Sequence, residues 1–271
     1  NSNLLGTLSL KKFLYASDST LIKDIYRKDP IHVQALIPSE EVASVMEKYE
    51  LVVVPVVNEV GTLIGRITID DAMEVIKEEA EKDYQMASGI SEKVESSDTV
   101  WVLSRARLPW LLIGLTGGIF GAYVIGGFED KISEFAVMAS FIPLILAMGG
   151  NFGVQSSAII VQSLANNSLE IDTIAKKLIK EMLVAIVNGL ICSFIALLFC
   201  LIIEKDVRLA ITIGISLISV FLYAGLFGTF IPLILNKYKI DPALATGPFI
   251  TTTNDVIGLL LYFLIGWAIY F

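Results

Sequence analysis

The sequence predicts a polytopic α-helical membrane protein, five transmembrane helices preceded by an N-terminal α+β domain. Three observations predict it. Residues 1–104 hold 10 Lys+Arg against 18 Asp+Glu, whereas residues 105–271 hold 10 of each, so the whole net charge of −8 lies in the first part. After residue 107 come five apolar stretches, each long enough for the roughly 20 helical residues that cross a bilayer. Ahead of them, apolar residues recur first at helical spacing and then as β-branched runs bounded by turn residues.

The elements follow in order. Leu5–Leu10 and Ile64–Ile69 share a pattern 59 residues apart, and each continues into a helical segment, Lys11–Tyr15 and Asp70–Glu79. That period marks duplicated supersecondary units. In the intact copy, Ser39 caps a helix with Glu40 and Glu41 in its first turn and Val42, Val45, Met46 and Tyr49 on one face. Leu51–Val57 reads as a strand, Asn58–Gly61 as a turn, Thr62–Thr68 as a second strand, and Asp70 opens the closing helix. The chain opens without Met at NSNLLGTLSL, with no signal peptide, and reads as continuing upstream.

This order, with its repeat of about 60 residues, resembles a CBS-domain pair. Residues 1–16 are then the tail of a truncated first repeat and 17–85 the second module. The resemblance implies a cytosolic domain and an adenine nucleotide, ATP, held by Thr68 and Asp71. The same two residues equally suit a cap on the helix that follows. His32, the sole histidine, has no ligand spacing around it and reads as structural.

Residues 86–108 form an acidic linker and an amphipathic helix, Thr99–Arg107, capped by Ser97 or Asp98, carrying Trp101 and two arginines, and separated from the first span by Pro109. Residues 109–271 form the membrane domain, with spans at roughly 108–128, 135–164, 182–203, 209–235 and 242–271. Seven basic residues, Arg105, Arg107, Lys176, Lys177, Lys180, Lys237 and Lys239, lie on one side; Lys131, Lys205 and Arg208 lie on the other, where Glu129 and Asp130 also fall. The positive-inside rule therefore predicts a cytoplasmic N-terminus and an extracytoplasmic C-terminus. Cys192 and Cys200 are eight apart in one span, about 12 Å of helical rise, too far for a disulfide.

Within the spans so drawn, Asp255 is the only acidic or basic side chain. A carboxylate at the centre of a span costs roughly 2.5–3.5 kcal/mol on insertion scales, so it signals function. Thr251 lies one turn before it and Gly247–Pro248 precede both, with Pro248 expected to break the helix and free the carbonyl of Leu244. In the second span, Gly149, Gly150 and Gly153 with Asn151 and Gln155 predict a broken, pore-lining helix. Oxygen ligands without nitrogen or sulfur suit hard cations such as Mg²⁺ or Ca²⁺. The stripes Gly114, Gly117, Gly118, Gly121 and Thr212, Ser216, Ser219, Tyr223 read as helix packing.

GGNFGVQSS in the second span, DPALATGPFITTTNDVIGLLLYF at Asp241–Phe263 and the CBS repeat together resemble the MgtE magnesium transport family over nearly the whole chain. The resemblance implies a homodimeric Mg²⁺ channel in the cell (inner) membrane, its pore on the dimer axis. Asp255 falls on the pore aspartate, Asn151 on the Asn of the Gly-Gly-Asn motif, and Gly247 where some members carry Asn near the ion; Thr251 is a lining residue by spacing. It also implies gating by cytosolic Mg²⁺, with Asp70 matching a sensing acid, Glu92, Glu95 and Asp98 as partner acids, and Thr99–Arg107 in place of a plug helix. Two other readings stand beside it: a proton-coupled secondary carrier and a nucleotide-sensing receptor anchored by the spans. The acidic balance argues against nucleic acid, and no nucleophile–base pair, ligand histidines or phosphate loop supports an enzyme.

Overall fold

The computed structural model describes residues 3–129, 136–165, 174–245 and 247–270. The chain divides into two compact units, 1–82 and 83–271. The expected outer-loop residues Asp130 and Lys131, and Phe135 at the start of the second span, lie outside the described residues.

In the first unit, β1 (Gly6–Thr7) pairs antiparallel with β2 (Arg27–Lys28), and helices α1 (Leu10–Tyr15) and α2 (Ile22–Ile25) lie between them in sequence. A second sheet runs β3 (Val33–Gln34), β4 (Val53–Val57), β5 (Leu63–Thr68), with β3 parallel and β5 antiparallel to β4. Pro55 is tolerated in the central strand because β3 pairs only with Val56 and Val57, so no ladder bond on that side needs its missing N–H. The turn is built as its residues demand. The Asn58 side-chain oxygen accepts from the N–H groups of Val60 (3.2 Å) and Thr62 (2.8 Å), and Gly61 takes φ 78°.

Helix α3 (Ser39–Lys48) presents Val42, Ala43 and Met46 to a core shared with Val33, Val54 and Ala72. Pro38, not Ser39, holds its N-cap position. That is a shift of one residue of the kind helix ends allow. Helix α4 (Ile69–Ala87) closes the unit and continues across the division.

The second unit is helical: α5 (Val100–Gly127), α6 (Ala136–Ala139), α7 (Ile142–Ala165), α8 (Ile174–Ile203), α9 (Val207–Lys237), a 3-10 turn at Pro242–Ala245, and α10 (Pro248–Ile269). Among the described residues, five helices are long and apolar enough to cross a membrane, and the chain is a multi-pass membrane protein. Helix α9 is the hub, packing on α7, α8 and α10, while α5 lies on α10. The glycine stripe on α5 serves that contact only at Gly117, where a Cβ would run into Thr252, and Gly121, where it would stand 3.4 Å from Leu259; Gly114 and Gly118 face open space. On α9, the hydroxyls of Thr212 and Ser216 donate to Arg208 O (2.8 Å) and Thr212 O (2.7 Å), so buried polar groups are satisfied within their own helix.

Side-chain hydrogen bonds tie down the C-terminal half of α10. The buried Tyr262 hydroxyl donates to Met138 O of α6 (2.8 Å), and the Tyr270 hydroxyl donates to Asp206 Oδ2 (2.9 Å). Asp206 is also the N-cap of α9, its Oδ1 accepting from the N–H groups of Arg208 (2.9 Å) and Leu209 (3.2 Å). Burial opposes its charge, but the Leu209, Tyr270 and Arg208 hydrogen bonds and the Arg208 charge outweigh it and hold the carboxyl below the usual range. Burial first, and then the Asp206 carboxylate, push the Tyr270 phenol up to about 12.

Four expectations are corrected. Thr99–Arg107 is not a separate helix, because α5 runs through Pro109 without interruption. Proline's φ suits a helix, and one lost bond to the Arg105 carbonyl is tolerated when buried Ala106 and Trp110 hold both sides. Neither Ser97 nor Asp98 caps it: Thr99 is the N-cap, and Asp98 Oδ2 accepts from Glu95 N (2.8 Å). Helix α7 is unbroken through its glycines, and Pro143 sits in its first turn, where the missing N–H costs nothing. Pro248 starts α10 rather than breaking it, so the last span begins at 248 and Pro242–Ala245 is a separate turn.

Candidate ion site on the last span

Gly247 is the N-cap of α10 with φ 57° and ψ −127°, a conformation side chains rarely allow, and a Cβ there would lie 2.5 Å from Ala87 O. Glycine is thus required, and Gly247 offers only main-chain atoms. Its carbonyl accepts from both the N–H (3.1 Å) and the hydroxyl (2.9 Å) of Thr251. The Thr251 oxygen keeps its acceptor lone pairs for another partner.

One turn on is Asp255, half-buried in a helix that carries no other acid or base. The glycines of α7 explain how it fits. A Cβ on Gly150 would stand 3.0 Å from Thr251 Cγ2 and 3.7 Å from Asp255 Oδ1, so the threonine methyl and the carboxylate lie against bare main chain. Gly153 serves the same bed, since a Cβ there would run into the Asn254 amide, whereas Gly149 makes room for α9, where a Cβ would stand 2.6 Å from Val220 Cγ1. These glycines make room for a neighbouring helix.

Asn151 and Gln155, next along α7, are exposed on the surface of the chain. The structure therefore brings Thr251 and Asp255 together against Gly150, with Gly247 bonded to Thr251 one turn back and Asn151, next to Gly150 in α7, exposed. The regulatory candidates are dispersed. Glu92 pairs with Arg105 (2.7 Å), Glu95 accepts from the Ser97 hydroxyl (3.4 Å) and Asp98 from the Glu95 N–H, while Asp70 lies exposed in the first turn of α4. Among the described residues, no group of three or more His, Cys, Asp and Glu gathers as a metal site. Thr68 donates to Asp71 Oδ2 through its N–H (2.8 Å) and hydroxyl (2.6 Å), which is the capping arrangement; the hydroxyl bond, then the main-chain one, lowers the Asp71 pKa. His32 Nδ1 bonds to Pro30 O (3.0 Å).

Two residues escaped the sequence reading. Glu181 lies inside α8, whose start at Ile174 precedes the expected 182, and its carboxylate accepts from the buried Ser156 hydroxyl of α7 at 2.6 Å. A hydropathy window ends spans at charges and so hid it. Asn254 is 1% exposed between α10 and α7. Its signal was available: Ile250, Asn254 and Gly258 recur at helical spacing, one amide in an apolar row.

Comparison with known proteins bears on the whole chain. Residues 142–265 match the family model MgtE, described as a divalent cation transporter, and residues 22–78 match the CBS domain. The magnesium transporter MgtE of Bacillus subtilis is 32% identical over 268 residues, 99% of this chain and 59% of that protein. The magnesium transporter MgtE of Enterococcus faecalis is 33% identical over 97% of this chain and 58% of that protein. That of Thermus thermophilus is 33% identical over 96% of this chain and 58% of that protein. The chain thus spans about three-fifths of the length of the curated relatives it matches. With the match lying on the ion-site helices and the CBS domain ahead of it, residues 142–265 carry a domain of the MgtE family of divalent cation transporters.

Proposed function

We propose that this chain carries Mg²⁺ across the cell membrane through a path lined by Asp255, Thr251, the Gly247 carbonyl and Asn151, formed where two copies meet. The observation that carries the reading is the half-buried Asp255 carboxylate on a membrane helix that holds no other acid or base, with no salt bridge to it among the described residues. The Thr251 hydroxyl, the Gly247 carbonyl and the Asn151 amide would add oxygens, the donor type that suits Mg²⁺. Three relatives named magnesium transporters support the choice of ion. A second copy is supported by charge and by exposure. Two Asp255 carboxylates match the charge of one hydrated divalent ion, and the amides of Asn151 and Gln155, exposed on a single chain, are costly in lipid unless they face water or a partner.

The N-terminus faces the cytoplasm in this reading, by the excess of basic residues on that side. Cytosolic Mg²⁺ closes the path by neutralising the acidic first part, Asp70 included. Glu92 serves only on release from Arg105, Glu95 and Asp98 through their exposed oxygens. An adenine nucleotide at Thr68 and Asp71 would displace their mutual bond.

The test is Mg²⁺ uptake by liposomes holding the wild-type chain or Asp255→Asn, across internal Mg²⁺ concentrations and with or without a proton gradient. Uptake driven by membrane potential, lost in the variant and reduced by internal Mg²⁺, is expected. Dependence on the proton gradient would instead identify a coupled carrier. Unchanged uptake in Asp255→Asn would reduce the spans to an anchor for a nucleotide-sensing receptor.

A further inference from the structure

We propose that Asn254 is a positioning residue for Asp255: its amide bolts α10 to the main chain of α7 and so fixes where the next side chain stands. Asn254 Nδ2 donates to Gly149 O at 3.3 Å across the two helices, and the residue is 1% exposed. The contact is built for it. Gly153 lacks the Cβ that would collide with the amide, and the same Cβ would stand 2.9 Å from Ile250 Cγ2. Consecutive residues of α7 thus receive consecutive residues of α10, Gly149 taking Asn254 and Gly150 taking Asp255.

Packing alone does not account for an amide here. Asn254 Oδ1 is buried without a hydrogen-bond partner among the described residues, and an orphaned amide oxygen destabilises a helix interface. A leucine of similar size would hold the helices together better. What a single buried donor supplies is register, as a lone Asn does in a coiled coil at a cost in stability. A slip of one residue, about 1.5 Å along the helix, would carry Asp255 off Gly150.

This inference rests on the reading that Asp255 handles the transported Mg²⁺. The full chain is assayed in liposomes as wild type, Asn254→Leu, Gly153→Ala and Asp255→Asn, recording maximal rate, half-saturating Mg²⁺ and unfolding midpoint. Asn254→Leu is expected to unfold at or above the wild-type midpoint, yet to need about tenfold more Mg²⁺ for half-saturation, the equivalent of one lost hydrogen bond. Gly153→Ala, which displaces the amide and leaves Asn254 in place, is expected to raise half-saturation likewise, and decides the matter if Asn254→Leu does not fold. Wild-type half-saturation in a folded Asn254→Leu overturns the positioning role, and so does failure of both variants to fold, which marks Asn254 as a packing residue. In either case, loss of flux in Asp255→Asn leaves the transport reading standing. Unchanged flux in Asp255→Asn overturns both.

Discussion

Gly117 and Gly118 are neighbours in α5, identical in sequence terms and opposite in surroundings. A Cβ on Gly117 would run into Thr252 Cγ2 and stand 3.2 Å from Thr252 Cβ, an atom that cannot move without the α10 main chain. A Cβ on Gly118 meets nothing within 4 Å. Alanine at either position gains helix propensity of up to about 1 kcal/mol over glycine. Only Gly117→Ala adds an overpacking cost of about 1–3 kcal/mol. Because the propensity gain is common to both, the difference between the variants isolates the steric cost. Gly118→Ala should therefore be more stable than wild type, and Gly117→Ala less stable than Gly118→Ala by about 1–3 kcal/mol. Reversible unfolding of the full chain in mixed detergent–lipid micelles measures this. Equal stabilities in the two variants, or a loss at Gly118 alone, would refute the seating of α5 on α10.

Tyr262→Phe removes one hydrogen bond from a fully buried side chain, while the Met138 carbonyl keeps its bond from the Phe141 N–H (3.2 Å), so it should cost about 0.5–1.5 kcal/mol in the same assay, near the roughly 0.6 kcal/mol average for a hydrogen bond between membrane helices. Asp206 has a lowered native pKa, so its contribution is present above about pH 4 and fades as pH falls through that lowered value; Asp206→Asn should flatten the acid limb of the stability–pH curve. Tyr270 is the mirror case, its contribution present below about pH 10 and lost as pH rises towards about 12, and Tyr270→Phe should remove that alkaline limb. Asp71→Ala should speed hydrogen exchange of the first amides of α4, since Asp71 accepts from Thr68 where the helix begins; unchanged exchange would rule out the cap.

Much of this was legible from periodicity. Val42 and Met46 on α3, the β-branched run ending at Val57 and the Asn58–Gly61 turn each carry their own local physics, and the structure builds them as their residue types require. Asp255 was legible because an unpaired carboxylate in an apolar run is costly anywhere. What one sequence does not carry is the partner. Gly149, Gly150 and Gly153 read as helix breakers, yet glycine costs a helix only about 1 kcal/mol, and close approach of Val220, Thr251 and Asn254 compensates for it. Pro109 and Pro248 read as interruptions for the same reason. Whether a proline breaks a helix, starts one or rides inside it depends on packing outside the local window. Asn254 shows in the sequence only as an amide in an apolar row; its contact exists only once the Gly149 carbonyl is in place.

The central claim is that Asp255 is the ion's ligand in the membrane path. Current through planar bilayers containing the full chain, with Mg²⁺ as the only permeant cation, tests it most directly. Mg²⁺ current is expected in the wild type and none in Asp255→Asn at equal protein incorporation. Wild-type Mg²⁺ current through Asp255→Asn would contradict it.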